Sequence, residues 1–518
     1  MKTRSFDFFL FLLTSLAFIN LSLASYPCAK KDFGHDSVVC VCNSTFCDTV
    51  EPVVNPGRQK GWVYTSSKTG DRFNKTGFTF TSKSLYSTIF TINRNISYQT
   101  IQGFGGAFTD AAGINILSLP VPVQEKLLQS YYSPQGIEYT IGRIPMASCD
   151  FSTHPYSYDD YSMDFQLTNF SLTMEDIKYK IPIIQKALSM SARNMSIFGS
   201  PWSAPAWMKT NKNMTGRGSL IGQPGGKYFK TWANYFVKFL QAYQSHNITL
   251  WGLTAQNEPL DGELPRFPFQ SMGWTPEMQR DFIVQDLGPA LHDNGFENVK
   301  LMILDDQRFL LPKWSSVVLS DKAASAYISG IAVHWYADAI SSPSDLDKAH
   351  TNFPEKFLFA SEACEGDLPW ERHVDMGSWY RAEAYGHSIV QDMNHWVTGW
   401  TDWNIALDMQ GGPNWVSNFV DAPIIVNKDK QEFYKQPMFY AMGHFSKFVV
   451  PGSKRMDIKT QGSTNLELTA FISPDSSIVL VILNRHDTEE AISIQDPELG
   501  YLNTKISAHT ILTLVWWH

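Results

Sequence analysis

The sequence predicts an α/β protein: a closed (β/α)8 barrel with β structure added at both ends of the chain. Three observations carry this. From Thr100 onward the pattern alternates strand, loop and helix, and candidate strands end near Gly103, Ala147, Phe198, Ala255, Leu304, His334, Ala360 and Trp400. Spread over residues 99–404, these units match the roughly 30 residues that a βα unit takes in a barrel of about 250 residues. Two of the apolar runs, Ile248–Leu253 and Phe357–Ala360, lead into glutamates, Glu258 and Glu362. These lie about three units apart, so both can reach the top of one barrel. Residues 52–98 and the tail from about 453 carry β patterns without a helical period.

Residues 1–24 read as a secretory signal peptide. Lys2 and Arg4 are basic, Phe8–Leu23 is mostly apolar, and Ser22-Leu23-Ala24 offers small residues for cleavage near Ala24. Asp7 departs from that pattern. No later apolar run reaches the roughly 18 residues of a membrane span. Export makes the cysteines legible. Cys28, Cys40, Cys42 and Cys47 crowd into residues 25–51, and an oxidising compartment turns such a cluster into disulfides, with three pairings open. Cys149 and Cys364 stand apart, each beside a candidate site residue, and read as free thiols. Seven sequons follow, at Asn43, Asn74, Asn95, Asn169, Asn194, Asn213 and Asn247. A sequon must be exposed to carry a glycan.

Alternation in Phe78-Thr79-Phe80-Thr81, followed by Thr88–Ile92, predicts strands before the barrel. Inside it, Trp232, Tyr235, Phe236, Phe239, Leu240 and Tyr243 recur at three- and four-residue steps, the stripe of one helix. Thr275 before Pro276 reads as a helix start, Thr as cap and Pro in the first turn. Pro259 cannot donate to a ladder and restricts Glu258, so the fourth strand stops there. Beyond the Gly411-Gly412-Pro413 loop, Leu466–Phe471, Ile478–Leu483 and Thr510–Val515 predict three more strands. Net charge is −8, and no basic run is long enough for a nucleic-acid footprint, which excludes that partner.

Two carboxyls are what glycoside hydrolysis needs, one to protonate the leaving oxygen and one to attack or to activate water. Asn257-Glu258-Pro259 and Ser361-Glu362, with Phe104–Ala107, Pro145–Asp150, Ser200-Pro201-Trp202 and Gly399–Asn404, resemble glycoside hydrolase family 30. The resemblance runs over essentially the whole mature chain and is strongest to the family's acid β-glucosidases, which cleave glucosylceramide.

It implies Glu258 as general acid/base and Glu362 as nucleophile, roughly 5 Å apart, a retaining pair. Burial and repulsion are expected to raise the acid's pKa while hydrogen bonds keep the nucleophile ionised. It implies Asn257 on the sugar 2-hydroxyl, and Asp150, Trp202, Trp403 and Asn418 on the other hydroxyls. Tyr336, Phe269 and Trp335 complete the substrate site, with Arg143 and His334 behind the carboxylates. The implied pairing is Cys28–Cys40 and Cys42–Cys47.

The implied architecture joins 25–51 with 405–436 in a small antiparallel domain. It joins 52–98 with 453–518 in an Ig-like β-sandwich, and 99–404 with 437–452 in the catalytic barrel. No metal or other cofactor is expected. The implied partners are glucosylceramide in membranes, met through an apolar rim, with anionic lipid and a saposin-type activator. The implied location is the lysosome, or secretion.

Gln256 stands where the family pattern has Glu, and Phe267 where it has Tyr. The Glu365–Trp370 loop also differs. All three are expected at the pocket mouth, which leaves the aglycone open. The competing readings are a family 30 enzyme cutting xylan or β-1,6-glucan, and an inactive carbohydrate- or lipid-binding protein. Retention of both glutamates argues against the second.

Overall fold

The computed structural model describes residues 26–518, so the signal segment expected at 1–24 lies outside them. Eight parallel strands close into a barrel. They are β1 (Gly103–Ala107), β2 (Ile141–Met146), β3 (Ser196–Pro201), β4 (Gly252–Thr254), β5 (Lys300–Gln307), β6 (Ile328–His334), β7 (Phe357–Glu362) and β8 (Val397–Asn404). Closure is made where β8 pairs with β1, Gly399 opposite Gly103 through Asp402 opposite Gly106. A side chain at Gly105 would meet the Ile141 carbonyl, so glycine there lets β1 and β2 approach.

Strands β1, β3, β5, β7 and β8 run past the ends expected from sequence. Their last residues, such as Ser200, Asp305-Asp306 and Asp402–Asn404, are polar and look like loop. In the fold they are buried and hydrogen-bonded, Asp305 to Arg143, Asp402 to the Tyr385 hydroxyl and Asn404 to the Thr109 hydroxyl.

Helix α1 (Lys227–Ser245) buries its expected aromatic stripe against the barrel. Thr275 caps the helix that Pro276 begins, its side chain accepting from Met278 N at 3.2 Å. Helix α2 (Trp379–Asn394) follows β7, and α3 (Pro437–Ser446) is buried along its whole length. His444 in α3 joins barrel to sandwich, 2.9 Å from both Thr513 Oγ1 and Ser66 Oγ. Burial pushes its pKa down to about 3, so it makes this joint as a neutral ring.

A five-stranded sheet runs Lys30–Asp32, Val38–Cys42, Glu432–Lys435, Ile424–Asn427, Leu407–Asp408, stapled by Cys28–Cys40 and Cys42–Cys47. It is antiparallel apart from its last pair, which is parallel. The other accessory sheet has nine strands drawn from both chain ends. Thr81 bridges Tyr501, bringing its two edges together around a core that includes Phe90, Ile92, Leu480, Leu514 and Trp516. The sequon residues Asn74, Asn95, Asn169, Asn194, Asn213 and Asn247 are exposed and Asn43 is half-buried. Among the described residues no helix is long and apolar enough to cross a membrane.

Candidate active site

The carboxyl ends of the strands hold a buried charge network. Arg143 on β2 donates to Glu362 at the end of β7, to Asn257 Oδ1 at 2.8 Å and to Asp305 Oδ2 at 2.9 Å. Asp305 also receives the Thr254 hydroxyl (2.6 Å), the Ser361 hydroxyl (2.5 Å) and a ring nitrogen of His334 (3.0 Å). A register shift in β5 turns Asp305 toward these donors. The other nitrogen of His334 lies 3.1 Å from Glu258 Oε1. Backbone strain collects here. Ala147, Glu258, Leu304 and Asp305 all have positive φ without being glycine, each at a cost of roughly 1–3 kcal/mol.

Above this floor opens a cleft of about 290 Å³. Oxygens of Glu258 and Glu362 and a nitrogen of His334 lie within 4.8 Å of one another. The same three groups are close enough to share an ion, but each already faces a protein partner: Arg143, Asp305 or Gln307. Tyr336 donates to Glu362 Oε1 at 2.8 Å. Across the cleft Trp202 and Trp403 stack, their rings 5.2 Å apart, and the Arg143 guanidinium lies over both. Asp150 accepts from Asn414 and Asn418 at 3.1 and 3.0 Å. It sits in the turn beyond β2, not on the strand. Phe267 and Phe269 pack edge to face on the opposite wall.

Two expectations are corrected. Trp335 does not line this cleft. Its ring nitrogen donates to the Cys364 carbonyl at 3.0 Å, and the ring packs edge-on against Tyr385 and Trp400, on the wall of a neighbouring cavity. Gln256 is not at the mouth either. It is fully buried, donates to the Trp202 carbonyl at 2.8 Å and accepts from Trp274 Nε1 at 3.2 Å. Cys149 and Cys364 are free and buried, and Cys364 lines the cleft.

The electrostatics also depart from expectation. Burial raises the Glu258 pKa, but the hydrogen bond and charge of His334 outweigh it and leave Glu258 below its ordinary value. Burial carries Glu362 above its own ordinary value, with Arg143 and His334 only partly opposing. His334 is pushed up to about 10: burial lowers it, and the carboxylates around it more than compensate. The reason is placement. The imidazole faces carboxylates from both nitrogens and sits closer to Glu258 than to Glu362. Burial lifts Asp150 to about 7 against its two amide donors.

A model of the glycosyl hydrolase family 30 TIM-barrel domain matches residues 101–449, and one of the family's β-sandwich domain matches 452–514. The chain belongs to glycosyl hydrolase family 30. It is 50% identical to the lysosomal acid glucosylceramidase of Mus musculus, over 100% of this chain and 99% of that one. It is 45% identical to a putative glucosylceramidase 4 of Caenorhabditis elegans, over 98% of each. The crystal structure of SrfJ from Salmonella typhimurium superimposes with a TM-score of 0.81 at 30% identity, covering 89% of this chain and 100% of that one.

Several residues of this family 30 site escaped the sequence reading. Asp305 anchors Arg143 and His334. Gln307 donates to Glu258 Oε1 at 2.9 Å, and Asn414 holds Asp150. Asp261 shares the cleft with Glu258. A signal existed for the first two: Asp305-Asp306-Gln307 ends an apolar run, as the glutamates do. Asn414 and Asp261 lie in loops, where their residue types carry no such mark.

Proposed function

We propose that this enzyme is a retaining β-glucosidase that cleaves glucosylceramide to glucose and ceramide. The observation that supports it best is the carboxylate pair, with oxygens within 4.8 Å. Retaining glycosidases hold their carboxyls about 5–5.5 Å apart, whereas inverting ones need roughly 6.5–9.5 Å to admit a water. Glu362, oriented by Arg143 and Tyr336, attacks the anomeric carbon while Glu258 supplies the proton to the departing oxygen. Glu258 then takes a proton from water, which displaces Glu362 and restores the β configuration. Asp150 with Asn414 and Asn418, and the Trp202–Trp403 pair, hold the glucose. Asn257, fixed by Arg143, faces the 2-hydroxyl, where a hydrogen bond strengthens as charge develops. The full-length likeness to the mouse enzyme favours the ceramide aglycone over a polysaccharide.

A membrane-borne substrate needs a surface that meets lipid. Leu264, Phe309, Ile340, Trp370 and Tyr380 are 50, 45, 83, 78 and 67% exposed, and all follow strands β4–β7 on the cleft side of the barrel. An exposed apolar rim of this kind suits a bilayer. The reading includes an anionic lipid surface and a saposin-type activator as partners, the seven sequons as glycan sites, and export by residues 1–24 to the lysosome. The test is glucose release from glucosylceramide at acidic pH, with and without anionic lipid vesicles. Release that rises with anionic lipid supports the reading. Cleavage of β-1,6-glucan with glucosylceramide left intact would overturn it.

A further inference from the structure

The resting site leaves one question of chemistry. The leaving oxygen needs a proton from Glu258, yet the groups around Glu258 favour its anion. His334 faces carboxylate oxygens from both ring nitrogens, Glu258 Oε1 at 3.1 Å and Asp305 Oδ1 at 3.0 Å. Making both hydrogen bonds takes an imidazolium. Gln307 Nε2 donates to the same Glu258 oxygen at 2.9 Å, and its own oxygen accepts from Ala337 N at 3.1 Å, which fixes the amide orientation. Glu258 Oε1 is thus an acceptor of two donors and carries no proton.

A third carboxyl stands beside it. The chain turns sharply after Glu258, the Asp261 amide donating to the Glu258 carbonyl at 3.0 Å, and the Asp261 side chain returns to the cleft. There the Asp261 and Glu258 carboxyls line the same cleft. Two carboxyls brought together in a buried cleft cannot both ionise, and they hold one proton between them.

We infer that Asp261 is a positioning residue that stores the proton which Glu258 delivers to the leaving oxygen. The inference rests on the acid/base assignment of Glu258. In the resting dyad Asp261 is the acid and Glu258 the anion. The proton passes from the Asp261 hydroxyl to Glu258 and then to the glycosidic oxygen. Its C–O bond breaks as Glu362 forms a new bond to the anomeric carbon. In the second half Glu258 takes the proton of the attacking water, and the dyad is reset.

The surrounding charges agree. Asp306 from β5, and Glu362 and Asp367 from β7 and its loop, face the pair as further carboxyls, while His334 from β6 and Arg143 from β2 favour the Glu258 anion. Burial first, and then the Glu258 charge, push Asp261 up to about 11.

The experiment compares Asp261→Asn, Asp261→Glu and Glu258→Ala on octyl β-glucoside, whose leaving group needs protonation, and on dinitrophenyl β-glucoside, whose leaving group does not. Asp261→Asn keeps a donor to Glu258 but cannot release a proton. It is expected to lose at least tenfold more kcat on the octyl than on the dinitrophenyl substrate. KM should stay within about twofold, and the basic limb of the octyl pH profile should move to lower pH. Asp261→Glu should restore a substantial part of the octyl activity. Equal losses on both substrates, or an unmoved basic limb, overturn the inference. If Glu258→Ala abolishes octyl hydrolysis while Asp261→Asn behaves as wild type, this inference alone falls. If Glu258→Ala keeps octyl hydrolysis, the assignment of Glu258 falls and the inference with it.

Discussion

With Glu258 proposed as acid/base and Glu362 as nucleophile, a single chemical readout separates the two duties. With a good leaving group, Glu258→Ala still forms the glycosyl-enzyme and then stalls, because no base activates water. Azide should relieve that stall and give the β-glucosyl azide after two inversions. Glu362→Ala has no nucleophile, so azide entering the vacated space should give the α-azide. The anomeric configuration of each product checks the assignment, and the reverse pattern would exchange the roles. Asp150 makes a second test. It sits in the turn beyond β2, held by Asn414 and Asn418 and facing the cleft. If Asp150 holds two sugar hydroxyls, at about 1.5–3 kcal/mol for each hydrogen bond to a charged group, Asp150→Ala should lose ~100-fold or more in kcat/KM. The melting temperature should hardly move. A collapse of both would make Asp150 a structural residue.

At the scale of elements, the small stapled sheet backs the cleft. Val39, Ile425 and Tyr434 from that sheet belong to the same buried cluster as Trp202, Trp403 and Cys364. Each disulfide is worth about 2–4 kcal/mol in a small unit. Replacing Cys28 and Cys40 by serine should therefore lower the melting temperature and also raise KM for a glucoside several-fold, as the stacked tryptophans lose their backing. A lower melting temperature with unchanged KM would show that the sheet stabilises without shaping the site. The alternation that made the barrel legible is physical: buried parallel strands are apolar runs, and α1 shows its stripe because one face meets the barrel. Strand ends were less legible because Asp305, Thr401 and Asn404 are polar yet buried, a combination that sequence reads as loop. Trp335 was misplaced for a related reason. Neighbouring residues at a strand end alternate in direction, so His334 and Tyr336 face the carboxylates while Trp335 points away. The disulfide pairing and the return of the tail to residues 60–100 were legible only through the family resemblance, since long-range pairing leaves no local periodicity.

For the whole molecule, the buried carboxyls predict a protein most stable in acid. Burial raises Asp150 and Asp306 to about 7, Glu365 and Asp338 to about 8, and Asp392 to about 6. Unfolded, each would titrate near 4. Between about pH 4 and 7 the folded state therefore binds more protons than the unfolded one, and stability falls as pH rises. The stability these groups confer is fully present below about pH 4 and is lost as pH climbs through their folded values. His334, raised to about 10, acts in the same direction above pH 6.5. The opposing groups act mostly elsewhere. Glu258 and Asp305 sit below their ordinary values, so their contribution changes only at pH lower than about 4. Lys209, which burial lowers to about 7, favours higher pH only above that point. His444 opposes the trend between about pH 3 and 6.5, because protonating it breaks its neutral seat, and this sets an acid limit to the optimum. The melting temperature should thus be higher at pH 5 than at pH 7.5, and a buffer series followed by calorimetry checks it. A maximum at or above pH 7.5 would mean that these carboxyls are ionised in the fold. The stability argument for work in an acidic compartment would then be gone, while the chemistry of the cleft would stand.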